Sequence, residues 1–150
     1  MNPLINIYFS ELRGEVILAT TAINFADIYY EQDDGAIAYP MDVNTEQLGT
    51  AIQTGLSRFI RADRNLRTAK KTEWPAFLAS CAKTVRAFEK STIYVGVCRM
   101  PNEFRFSACR YGKQETALKL LLPLDVPATR IGQYAFEVFL QVRNRRHGTA

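Results

Sequence analysis

The sequence predicts an α+β fold: a mainly antiparallel β-sheet of about five or six strands packed against α-helices, with two related strand-turn-helix units. Three observations predict it. Short runs rich in Ile, Val and Tyr are separated by turn signals, as hairpin strands are. Apolar residues recur at helical spacing in two places, after Thr45 and after Ala128. The segment YPMDVNTEQLG at 39–49 recurs at 122–132 as LPLDVPATRIG, with Pro, Asp, Val and Gly at matched positions.

Residues 4–9 and 15–19 flank the turn signal Arg13-Gly14 and read as a hairpin. The aromatic stretch 24–30 fits helix or strand, and the acidic turn Gln32-Asp33-Asp34-Gly35 ends it, leaving 36–41 as a third strand. Next, Leu48, Ile52, Leu56, Phe59 and Ile60 fall on one helical stripe, with Asn44 and Gln47 at the N-cap and N3 positions. A polar, basic connection over 63–72 has the length of a mobile loop, and a broken helical segment over 74–81 and 85–88 follows it. Strands at 92–99 and 103–109 alternate on either side of Met100-Pro101-Asn102 and form a second hairpin. Beyond Tyr111-Gly112, Leu118, Leu120, Leu122 and Leu124 face one way, a helix runs over 128–143, and 144–150 is a frayed tail. In the repeat, Leu48, Ile52, Leu56 and Phe59 correspond to Ile131, Ala135, Phe139 and Val142. Pro40 and Pro123 each end a strand because proline has no N–H for the ladder, and Asp42 and Asp125 are expected to cap amide donors ahead of each helix.

A chain of 150 residues suits one domain spanning 1–150, and its 47% hydrophobic and 23% charged residues are ordinary globular values. The longest apolar stretch, 117–126, is broken by Lys119 and Pro123 and falls short of the roughly 20 residues a membrane span needs. No secretory pattern opens the chain, so a cytoplasmic location is expected. Cys81, Cys98 and Cys109 are odd in number and fit neither a disulfide framework nor a zinc spacing, so they read as reduced core thiols. The net charge of +4 conceals a split: 1–57 holds eight acids and one base, and 58–150 holds 18 bases and seven acids. Either the fold has an acidic and a basic surface or the two sets neutralise each other.

Nothing here predicts an enzyme. The only histidine, His147, lies in the expected tail, where no structure holds an imidazole beside a nucleophile. No glycine-rich phosphate loop occurs, so no nucleotide cofactor is expected. The densest carboxylates, Asp27, Glu31, Asp33 and Asp34, lack the spacing of a calcium loop and read as a solvated turn or a docking surface, with no metal. The run Arg58, Arg61, Arg64, Arg67, Lys70, Lys71 raises the alternative of a nucleic-acid-binding regulator using 58–71. Spacing by three, however, turns the direction back about 60° at each step, so four arginines sweep about 180° around a helix and form no stripe.

Taken in order, YPMDVNTEQLGTAIQTGLSRF, EWPAFLASCAKTVRAFEKSTIYVGVCR and LPLDVPATRIGQYAFEVF resemble the immunity proteins of bacterial contact-dependent growth inhibition systems, over about residues 36–140. The resemblance implies a small cytosolic α+β protein that binds the C-terminal toxin domain of a delivered effector, often a nuclease, as a 1:1 heterodimer and covers its active site. It accounts for a chain without catalytic residues. Against the cationic cleft of a ribonuclease toxin, Asp27, Glu31, Asp33 and Asp34 would imitate RNA, with Tyr29 and Tyr30 as aromatic anchors. The basic remainder of the chain departs from the acidic balance such inhibitors often have.

Overall fold

A computed structural model of the chain describes residues 1–110 and 118–145. The strands are β1 (Leu4–Ser10), β2 (Glu15–Ile23), β3 (Tyr29–Pro40), β4 (Ile60–Arg61), β5 (Ile93–Arg99), β6 (Glu103–Arg110) and β7 (Leu118–Pro123). The helices are α1 (Thr45–Ser57), α2 (Pro75–Ala79), α3 (Val85–Ser91) and α4 (Ala128–Asn144). The sheet runs β3-β2-β1-β5-β6-β7 with every neighbour antiparallel, and β4 pairs in parallel with the end of β2. The α+β architecture is as predicted, with seven strands where five or six were expected.

The repeat is larger than the sequence indicated. β1-β2-β3-α1 and β5-β6-β7-α4 are each a three-stranded meander followed by a helix, joined at the centre by the β1–β5 pair. Pro40 closes β3 opposite Glu15, and Pro123 closes β7 opposite Glu103, so each proline ends an edge strand where its missing N–H costs nothing. The two helices then meet at their first turns. A Cβ on Gly49 would lie 1.7 Å from the Ala128 carbonyl oxygen, and one on Gly132 would lie 1.9 Å from that of Thr45. Both contacts join the same pair of repeat positions in opposite directions, so α1 and α4 touch backbone to backbone. Asn44 caps α1, its side chain accepting from the Gln47 amide at 2.7 Å. Asp42 and Asp125 stand two residues too early to cap, and Pro127 at the N-cap of α4 offers no side-chain acceptor.

One sheet face buries Ile5, Ile7, Phe9, Val95, Val97 and Phe106 against Leu48, Ile52, Leu56, Ile131, Ala135 and Phe139. The rings of Phe9 and Phe139 stack at 4.5 Å. Each such buried Val, Leu, Ile or Phe side chain contributes about 1.5–3 kcal/mol. Segment 58–92 crosses the other face of the first half, setting Ala76 and Phe88, with Trp74 and Phe77, on Tyr8, Ile17 and Ala19. β2 is thus covered on both faces and buried at all nine positions, which explains why EVILATTAI has no alternation.

Local readings change at four places. Gln32-Gly35 does not end an element: it is an irregularity within β3, where five steps from Glu31 to Ala36 oppose two from Thr21 to Ala19. α1 stops at Ser57, and Ile60, read as the end of its apolar stripe, belongs to β4 and is half exposed. Segment 63–72, read as a loop, forms the 3-10 turn Leu66–Thr68 and enters a second at Lys71–Glu73, and Asn24 donates to its Arg64 carbonyl. The cysteines are free, but Cys81 is exposed and Cys98 and Cys109 lie half-buried on the sheet face away from α1 and α4, so none is a core thiol. The turn at 111–112 and the tail with His147 lie outside the described residues.

Inserting a methyl group at either helix contact should force the backbones apart. Gly49→Ala and Gly132→Ala are each expected to lower stability by about 3 kcal/mol, the upper range for overpacking a core, measured by urea unfolding. A loss below about 1 kcal/mol at both positions would show that the helices do not touch as described.

Candidate functional site

The sequence-predicted acidic and basic residues fold onto one surface. After β2 the chain turns through 24–28, where the Asn24 side chain accepts from the Ala26 and Ile28 amides and Asp27 takes a left-handed conformation at φ 62°. This turn lifts Phe25 into solvent, 64% exposed. β4 pairs Ile60 with Ala22 and Arg61 with Ile23, which sets a second exposed apolar side chain and a guanidinium beside the turn. Arg61 lies over the Phe25 ring at 6.0 Å, and Tyr29 packs on Phe59 at 5.8 Å. Exposed aromatics beside arginine are the composition of interface anchors.

The charges interleave. Arg61 pairs with Asp27 and Arg64 with Asp33, both at 2.7 Å, and Arg64 also lies over the Tyr30 ring at 5.4 Å. Of the two alternatives the charge split left open, neutralisation holds at these positions. The acids come from the β3 side and the bases from the crossing segment, so 31 and 34 residues of sequence separation hid the pairing. Such exposed pairs are worth about 0–1 kcal/mol and exchange readily for a partner's charges. Asp34 is exposed at the same edge. The arginine sweep around a helix does not arise: Arg58 caps α1, Arg61 is in β4, Arg64 is in a loop and Arg67 is in a 3-10 turn. With Arg61 and Arg64 facing carboxylates, the segment presents no uniform positive track for phosphates.

Glu31 separates from the other acids. It is only 8% exposed, and its carboxyl accepts from Tyr8 Oη at 2.5 Å, Asn6 Nδ2 at 2.9 Å and the Ala76 amide at 3.1 Å. Tyr94 Oη donates to Asn6 Oδ1 at 2.7 Å and extends the network across β1 to β5. Asn6, Tyr8 and Glu31 line a cavity of about 530 Å³ together with Arg64, Lys70 and Trp74. Glu31 therefore anchors the crossing segment to the sheet and is no part of a solvent-facing acidic patch. One signal was available: Asn6 and Tyr8 are polar positions on one side of the otherwise apolar strand LINIYFS.

Two tyrosines and the three cysteines hold their protons more tightly than usual. Burial, then the nearby Glu31, pushes the Tyr94 phenol well above the ordinary tyrosine value, and burial raises Tyr29. Burial raises the thiols of Cys98 and Cys109, and Glu15 raises that of Cys81, the reverse of what an activated nucleophile needs. Among the described residues no three His, Cys, Asp or Glu side chains gather as metal ligands, and no helix is long and apolar enough to cross a membrane.

Two outcomes test this network. Glu31→Ala removes the common acceptor and is expected to cost about 3 kcal/mol in urea unfolding, while Glu31→Gln costs less than half as much. Because the folded-state pKa of Tyr94 is raised, its contribution to stability is whole below the unfolded value near pH ~10 and is lost as pH rises above it. Tyr94→Phe should therefore flatten the fall of Tm between about pH 9 and 11.

Comparison with known proteins supplies a fold relationship. No family model matches the chain, and no curated protein matches it by sequence. A protein of unknown function from Neisseria meningitidis shares the fold with a TM-score of 0.76 at 19% identity, over 95% of this chain and 96% of that one. A chain of the CdiA-CT/CdiI toxin and immunity complex from Yersinia pseudotuberculosis shares it with a TM-score of 0.67 at 15% identity, over 94% of this chain and 97% of that one. The fold, from β1 to α4, is thus one also found in a toxin and immunity complex.

Proposed function

We propose that this chain is an immunity protein that binds a cognate toxin domain as a 1:1 heterodimer in the cytoplasm and neutralises it by covering its active site. The likeness to a chain of the CdiA-CT/CdiI toxin and immunity complex, across 94% of this chain, supports the reading, because it spans the whole architecture and not one motif. The surface at 24–34 and 58–67 supports it with Phe25, Tyr29 and Ile60 as anchors. On this reading Asp27, Asp33 and Asp34 face the toxin. Asp27 and Asp33 trade Arg61 and Arg64 for the toxin's cations, so acid mimicry acts by exchange of pairs and not through a bare negative patch. A nuclease, with a cationic cleft for phosphates, is the toxin class that suits such exchange.

On this reading a toxin domain encoded next to this chain should bind it in calorimetry and lose its toxicity on co-expression. Phe25→Ala and Ile60→Asp should each weaken binding about 30-fold, as interface anchors do, with Tm unchanged. Arg105→Ala, on the exposed sheet face of the other half, should leave affinity as it is. Absence of binding by that toxin would overturn the function, and equal effects of all three variants would overturn the surface.

A further inference from the structure

The two halves differ over the outer side of their helices. In the second half Tyr134 of α4 packs edge-on against Phe106 of β6 at 5.0 Å, and its hydroxyl donates to the Leu121 carbonyl of edge strand β7 at 3.1 Å. Arg130 covers the ring at 5.2 Å and pairs with Glu137. At the offset of the repeat, the counterparts of Arg130, Tyr134 and Glu137 are Gln47, Ala51 and Thr54 of α1. The strands correspond as well. Leu18 faces Ile37 across β2–β3 as Phe106 faces Leu120 across β6–β7, so Leu18 stands where Phe106 stands and Ala38 where Leu121 does.

All three helix side chains are smaller or uncharged in the first half, and a groove of about 610 Å³ opens there between α1 and β3. Its floor includes Leu18, Ile37 and Ala51, and its rim includes Thr50 and Thr54. This size is within the roughly 300–1,000 Å³ of ligand pockets. Ile37 is left 49% exposed beside the empty ring position. Glu46 and Arg58 stand at opposite ends of the groove, and neither is ion-paired among the described residues. They are about 18 Å apart at 1.5 Å per helical residue, the reach of about five residues of extended chain.

We propose that this groove is a docking site for a tyrosine side chain presented by a partner protein. The ring lies over Leu18 as Tyr134 lies over Phe106, the hydroxyl donates to the Ala38 carbonyl, and flanking charges of opposite sign in the partner meet Glu46 and Arg58. The site stands whether or not that partner is a toxin.

Amide NMR of the full chain with N-acetyl-tyrosinamide tests it. The groove amides of Gly35, Ile37 and Gly55 should shift on titration, and N-acetyl-phenylalaninamide should bind about fivefold more weakly for lack of the hydroxyl. Ala51→Tyr, which copies Tyr134 into the vacancy, should abolish the shifts; Ile37→Glu, at an exposed floor position, does the same should the tyrosine variant fail to fold. Absent shifts in the unaltered chain, or shifts that survive in folded Ala51→Tyr, overturn the proposal. Tighter binding of free L-tyrosine than of the blocked form would make the groove a small-molecule site and overturn the protein partner.

Discussion

Two glycines let the helices of the two halves meet backbone to backbone. Gly49 admits the backbone of α4 at Ala128, and Gly132 admits the backbone of α1 at Thr45. No larger residue fits at either position, because the nearest atoms are main-chain carbonyl groups that cannot swing aside as a side-chain tip can. The separation of the helices follows from this, and with it the depth of the core between helices and sheet. It also fixes where Ile52 and Phe139 descend onto the central β1–β5 pair. A helix pair held further apart would leave unfilled volume above Ile7 and Val95, which interiors packed like crystals do not tolerate.

With the scaffold fixed by repetition, the halves are free to differ where they face outward. The first half carries segment 58–92 across its second face, closed by the Glu31 network, and so gains the mixed-charge edge at 24–34. It also keeps small residues on the outer side of α1, where the second half has Arg130, Tyr134 and Glu137. The features that suit a partner therefore gather on the β1–β3 half. The repeated unit with one elaborated copy combines a rigid frame with a distinct outer face, which is what the proposed inhibition by occlusion requires.

The parts legible in the sequence were those set by short-range rules. Asn44 capping Gln47, the hairpins about Arg13-Gly14 and Met100-Pro101-Asn102, the two amphipathic helices and the Pro-ended strands all depend on neighbours within a few residues. What stayed hidden depends on partners far along the chain. Glu31 read as a surface acid because Tyr8 and Ala76 are 23 and 45 residues away, and the arginines read as a free basic run because Asp27 and Asp33 lie across a strand pairing. Gln32-Gly35 has the composition of a turn, yet the pairing of β2 and β3 on either side keeps it inside a strand as an irregularity. The repeat itself was visible, but its extension to three strands was not, because β1 and β5 share apolar pattern and no motif.

The elaborated half is the proposed contact face, and the helix pair is its frame. Hydrogen exchange, read by mass spectrometry on the chain alone and with the toxin domain proposed as its partner, measures both at once. Exchange should slow over 24–34 and 58–67 in the complex and stay unchanged along α4. Protection confined to α4 and the β5–β7 half, or no protection anywhere, would contradict it.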